Sequence, residues 1–198
     1  MSEPLAFVPP EEQARANFYA LLARLFYASP DETLLNALAS ADELDAEDEA
    51  LAARWRELIA AAAATPAEAA REEYDSVFVG TGKAPVTLYA SAYSLRYSNE
   101  TPLAALRADL AALGLARRGE VGEPEDHIAA LCETMRHLIA EQRRSLEEQQ
   151  RFFRRWLAPN VDALCAAIEA SEQTSFYRVV ARLAKAFFSL EQAGFEML

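Results

Sequence analysis

Apolar residues return every three or four positions along most of the chain, and this constrains the fold more than any other feature. The clearest run is Ile128, Leu131, Cys132, Met135, Leu138 and Ile139, one stripe of a 3.6-residue helix. Phe18, Leu21, Leu22, Leu25 and Phe26 repeat the pattern within residues 11–28, and Phe176, Val179, Val180, Leu183, Phe187 and Leu190 within residues 173–193. No segment alternates with a period of two, and no internal repeat is seen. Six glycines in 198 residues leave few natural breaks. The expected fold is all-α, a single globular helical domain of about nine to ten helices.

The breaks that do occur divide the chain. Ser29-Pro30-Asp31 ends the first helix, and a short one follows through Leu34, Leu35 and Leu38. An acidic connection over residues 42–48 leads to a helix near 47–64. Thr65 is read as a cap and Pro66 as a first helical residue, opening a helix to about Val77 that ends at Gly80. Thr101-Pro102 opens another, running to about Leu115. Residues 116–122 form a polar segment with two glycines, the best candidate for a hinge between subdomains of about 1–115 and 123–198. Beyond the central helix at about 124–144, residues 146–157 continue helically after a kink, and Pro159 opens the next helix.

The start of the central helix is the most informative stretch. Pro124 suits a first helical position, with Glu123 as N-cap and Asp126 at the third residue, where a carboxylate meets unpaired N–H groups. His127 then falls at the edge of the apolar stripe and Asp126 well off it. Such a helix end can bind a ligand. The same residues can equally serve the fold, with Asp126 complementing the dipole and His127 pairing with Glu123. Between Gly80 and Asn99 periodicity fades, and Tyr89, Tyr93 and Tyr97 are interspersed with Ser91, Ser94 and Ser98. Tyrosines with an apolar body and a polar tip suit a surface that accepts a greasy ligand, or fill the gap between helical layers.

A formal net charge of −12 argues against nucleic acid or an anionic membrane as partner and suits a basic peptide. Residues 1–10 have no basic start and no long apolar run, so no signal peptide is expected. Residues 58–64 are too short to cross a bilayer. Cys132 and Cys165 form no CxxC pair and read as buried, reduced residues. A cytoplasmic protein is expected. Gly80-Thr81-Gly82-Lys83 lacks the spacing of a phosphate loop. His127 and His137, ten residues apart, do not share one helical face, so no metal site is expected.

Glu123-Pro124-x-Asp126-His127, followed eight residues later by Met135, resembles the signature of the TorD/DmsD family. A second block is also similar: Tyr74-Asp75-Ser76-Val77-Phe78-Val79-Gly80-Thr81-Gly82, then Pro85, Leu88-Tyr89, Ser91 and Tyr93. A third comprises Gln149 with Phe152-Phe153, Leu157 and Pro159, then Phe176-Tyr177. Where family members carry a His before Leu-x-Pro and a Trp after it, this chain has Trp156 and Asn160.

The resemblance implies a cytoplasmic chaperone, not an enzyme, without a cofactor of its own. Its partner would be the catalytic subunit of a molybdenum-cofactor oxidoreductase, held by its leader peptide until cofactor insertion and twin-arginine export. The peptide-binding residues expected are Glu123, Pro124, Asp126 and His127, with Leu88, Tyr89, Ser91 and Tyr93, and with Tyr74 and Phe78 from the second block. The acids would meet the leader's arginines and the tyrosines its apolar part, with His127 bridging the two. A monomer or a dimer swapped across the hinge is expected, with no nucleic acid and no stable membrane insertion. The alternative is a small hydrolase with His127 as general base, but neighbouring helical residues diverge by about 100°, so Asp126 could not orient it. No nucleophile motif completes such a site.

Overall fold

The computed structural model describes residues 9–44, 48–80, 84–94, 102–116 and 124–198. They form α1 (Pro10–Tyr27), α2 (Glu32–Ala39), α3 (Glu49–Ala64), α4 (Ala67–Tyr74), a short α5 (Ser91–Ser94), α6 (Pro102–Ala112), α7 (Ile128–Ala140), α8 (Leu146–Phe152), α9 (Ala158–Ala170) and α10 (Phe176–Glu196). The all-α expectation holds. Among the described residues, extended pairing is confined to one antiparallel bridge between Tyr89 and His127.

Helix starts follow side chains that accept orphan N–H groups. Asp31 accepts from Leu34 at 2.8 Å, Asp48 from Leu51 at 2.7 Å, and Ser145 forms a reciprocal box with Glu148. Two helices end in wide π turns, Asp75–Val79 and Phe153–Leu157. The first closes with Gly80 N–H on Asp75 O at 2.7 Å, and Gly80 has φ of 63°, a conformation that favours glycine. The kink expected just before residue 146 lies at the break between α7 and α8, where Arg143 has φ of 50°.

Several boundaries differ from expectation, with α6 ending at Ala112 and α7 at Ala140, earlier than read. Thr65 is not the cap of α4: its hydroxyl donates to Ala61 O at 2.7 Å, closing α3, and Pro66 takes the cap position. α10 is displaced three residues towards the C-terminus. The central helix begins at Ile128, four residues late, so Pro124 is not its first residue and Asp126 not its third.

α1 lies along α7, while α10 packs on α9 and α3, so elements from both sides of residues 116–122 share one core. Tyr19, Phe26, Phe153, Phe176 and Tyr177 are its largest fully buried side chains. That hinge segment, apart from Ala116, lies outside the described residues.

Two polar links cross this core. Glu73 on α4 caps α10, taking the N–H groups of Ser175, Phe176 and Tyr177 at 2.8, 3.0 and 2.8 Å. Glu191 on α10 holds the Arg15 guanidinium through Nε at 2.6 Å and Nη2 at 2.8 Å, and accepts the Tyr19 hydroxyl at 2.8 Å. Burial alone would lower the Arg15 pKa, but the Glu191 and Glu12 carboxylates more than reverse this and raise it.

Candidate functional site

The turn of residues 124–127 is held by the segment just before α5. Leu88 O accepts the Ile128 N–H at 2.8 Å, and Asp126 O accepts the Ala90 N–H at 2.9 Å. The Asp126 carboxylate, 7 % exposed, accepts the Ser91 N–H at 3.3 Å. It therefore caps the short α5 instead of the helix that follows it in sequence. The cap of α7 is His127, whose Nδ1 accepts the Ala129 N–H at 3.2 Å. Accepting this N–H requires Nδ1 to be the unprotonated ring nitrogen. The Tyr89 ring meets the His127 ring edge-on, 5.3 Å between centroids.

Other members of the expected set serve the same scaffold. Tyr93 is half-buried and donates to Thr87 O at 2.8 Å, and burial raises its pKa. Leu88 is buried in the core. Tyr74 and Phe78 sit in a separate aromatic cluster with Tyr177, the Phe78 and Tyr177 rings 4.9 Å apart. The Tyr74 hydroxyl reaches Phe26 O and Tyr27 O at 3.1 and 3.0 Å, fixing the end of α1. Glu123 lies outside the described residues.

Beside the turn is a cavity of about 620 Å³ between α1 and α7. That volume falls within the usual range for ligand pockets. α1 supplies Ala20, Ala23, Arg24 and Tyr27 to its wall, and α6 with the residues after it supplies Leu110, Leu115 and Ala116. From the turn and α7 come Pro124, Glu125, His127, Ala129, Ala130, Glu133, Thr134 and His137. Asp126 is not part of this wall, nor are Tyr89, Ser91 and Tyr93. Small alanines on facing helices leave the space, and its charged lining is Arg24 with two carboxylates, Glu125 paired to Arg107 and Glu133 paired to Arg136.

Glu125 and both histidines are the instructive cases. Glu125 occupies the unspecified position of the Glu-Pro-x-Asp-His pattern, yet it is the carboxylate of that turn that faces the cavity. His127 and His137 both line the cavity, His127 from outside the helix, with φ of −61° and ψ of 133°, and His137 from within it. Among the described residues, no group of His, Cys, Asp and Glu could hold a metal ion.

The departures at Trp156 and Asn160 bear on α6. Trp156 Nε1–H donates to Asp109 Oδ2 at 2.8 Å, and Arg155 lies over the Trp156 ring and pairs with Asp109 at 3.0 Å. Asn160 is buried, its amide donating to Trp156 O at 3.0 Å.

Residues 41–166 match the family described as nitrate reductase delta subunit. The chain belongs to this family. Its TorD-like character is seen in two chaperone proteins TorD, each 27 % identical to it. The match to the one from Photobacterium profundum spans 61 % of either chain, and that to the one from Shewanella loihica spans 96 % of this chain and 97 % of the relative. A crystal structure from Archaeoglobus fulgidus, provisionally assigned as a redox enzyme maturation protein, shares the fold. Its TM-score is 0.55 at 20 % identity, covering 96 % of this chain and 99 % of that one. The TorD relatives are named chaperones, in keeping with the expectation of a chaperone and not a hydrolase. No described helix is long and apolar enough to cross a membrane.

Proposed function

We propose that this TorD-like protein matures a molybdenum-cofactor oxidoreductase by holding the leader peptide of its catalytic subunit in the cavity between α1 and α7, in the cytoplasm, until cofactor insertion and twin-arginine export. The observation that carries the reading is the cavity's mixed wall. Alanines and leucines from three elements form an apolar trough, and Glu125 and Glu133 stand at its side. A leader is basic and then apolar, and this surface complements both parts.

In this reading the peptide's apolar part lies against Ala20, Ala23, Ala130 and Leu110. Its cations lie towards Glu125 and Glu133, with Glu123 adding charge from the preceding residues. Pro124 and His127 contact the peptide directly. Asp126, Leu88, Tyr89, Ser91 and Tyr93 hold the turn that presents them, and Tyr74, packed against Phe78, fixes the end of α1. The α1–α7 pairing is the contact that a dimer swapped across residues 116–122 would make between protomers.

Filling the trough tests this. Ala20 and Ala130 are only half-buried, so Ala20→Trp and Ala130→Trp should fold while occupying the space. Titration calorimetry with a synthetic twin-arginine leader should show binding to the wild type and at least ten-fold weaker binding to each variant, about 1.4 kcal/mol. Wild-type affinity in both variants would place the peptide elsewhere.

A further inference from the structure

The carboxylate of Glu125 is already occupied. Arg107 on α6 grips it fork to fork, Nε to Oε1 at 3.0 Å and Nη2 to Oε2 at 3.1 Å. The Glu125 side chain is 12 % exposed and that of Arg107 52 %. The carboxylate is thus a sheltered fixture of the cavity side, while its partner is a surface residue reaching in. Two parallel N–H···O bonds are the geometry that any guanidinium adopts with a carboxylate, and an ammonium cannot reproduce it.

The helix that carries Arg107 is lightly held. Leu106 is the one fully buried side chain of α6. Leu110 packs partly buried against the core, and the remaining anchors are polar: Arg107 to Glu125, Asp109 to Trp156 and Arg155, and, just past the helix, Leu113 O receiving Gln142 at 3.0 Å and Arg144 at 3.3 Å. The same helix supplies Leu110 to the cavity wall. Exposed ion pairs of this kind contribute little stability, so exchange of one guanidinium for another at Glu125 costs little.

We infer that Glu125 is the seat for an arginine of the bound peptide, and that Arg107 is its resident occupant, displaced when the peptide's guanidinium arrives. This rests on the reading of the cavity as the peptide site. It makes the site selective for arginine over lysine, because only a guanidinium can replace both bonds. It also makes the free protein self-competing: Arg107 lowers the apparent affinity for any arginine-bearing segment, and its release loosens the α6 side of the cavity.

The test uses three synthetic peptides that share one leucine-rich segment and differ in the preceding pair: Arg-Arg, Lys-Lys or Gln-Gln. Affinities are measured for the full-length wild type, Arg107→Ala, Glu125→Gln and the double variant, with Arg107→Gln as a second substitution that preserves side-chain bulk. Removing Arg107 should tighten Arg-Arg binding about five-fold, the worth of an exposed bidentate pair, and leave Gln-Gln unchanged. Glu125→Gln should bring Arg-Arg down to the Gln-Gln level, and in that background Arg107→Ala should have no effect. An equal gain for Lys-Lys would mean that Arg107 acts only as a nearby charge, and would overturn the inference. So would unchanged or weaker Arg-Arg binding in both Arg107 variants. If Ala130→Trp abolishes binding while the Arg107 variants match wild type, the cavity stands and this inference alone falls. Failure of the wild type to bind any of the three peptides would remove both.

Discussion

Tyr89 and His127 are joined twice, through an antiparallel backbone bridge and through rings that meet edge-on at 5.3 Å. His127 also caps α7. One side chain therefore serves both the helix that lines the cavity and the segment that braces it. His127→Ala should cost about 2 kcal/mol, combining a lost cap with a lost aromatic contact. His127→Asn keeps a capping oxygen and should cost roughly 1 kcal/mol. Urea denaturation of the two variants would separate the contributions.

Asp126 gives a cleaner contrast. Asp126→Asn retains an acceptor for the Ser91 N–H and should leave the thermal midpoint nearly unchanged. Asp126→Ala leaves that donor unmet beside the core and should cost about 1–3 kcal/mol. Because the carboxylate is 7 % exposed and outside the cavity wall, Asp126→Asn should weaken leader binding less than Glu125→Gln does. Calorimetry with the Arg-Arg peptide checks the order.

Glu73 ties the start of α10 to α4. Glu73→Ala removes the acceptor of three backbone N–H groups, and a loss of about 2 kcal/mol is expected, towards the upper end for a capping residue. Glu73→Gln should recover part of it. Matching denaturation curves for Glu73→Ala and wild type would show that the N–H groups find other partners.

Alkaline pH should destabilise the protein through its buried acids. Burial raises the Cys132 thiol far above its ordinary range, pushes Cys165 up to about 12, and raises the Tyr19 and Tyr177 phenols as well. Each group holds its proton more tightly folded than unfolded. Their contribution is therefore complete below the unfolded thiol pKa of about 8.5 and is lost as pH rises beyond it. Denaturant midpoints at pH 7 and 10 should differ in that direction. A thiol reagent at pH 8 should find neither cysteine until the protein unfolds.

What could be read from the sequence was what local spacing controls. The stripe from Ile128 to Ile139 is buried as read, and the breaks at Ser29-Pro30-Asp31 and at Gly80 are where short-range chemistry puts them. The start of α7 was misplaced because Pro124 satisfies the local rule for a first helical residue, while the backbone of residues 88–90 takes the N–H and C=O groups of that turn. That pairing spans almost forty residues and leaves no local mark. Glu125 was passed over for the same reason: nothing nearby in sequence distinguishes an acid that faces a cavity from one that faces water. The alanines opposite it on α1 looked like ordinary helix formers, and only their placement against α7 makes them the wall of a cavity.

The pairing of α1 with α7 has a consequence during synthesis. α1 emerges well before α7, and the surface that covers its apolar face is encoded about a hundred residues later. At about 5–20 residues per second the ribosome takes on the order of ten seconds to deliver it. Until then Leu22, Leu25 and Phe26 lack their native cover. The chain thus passes through an exposed interval during its own synthesis, and slower translation across α7 should lengthen it.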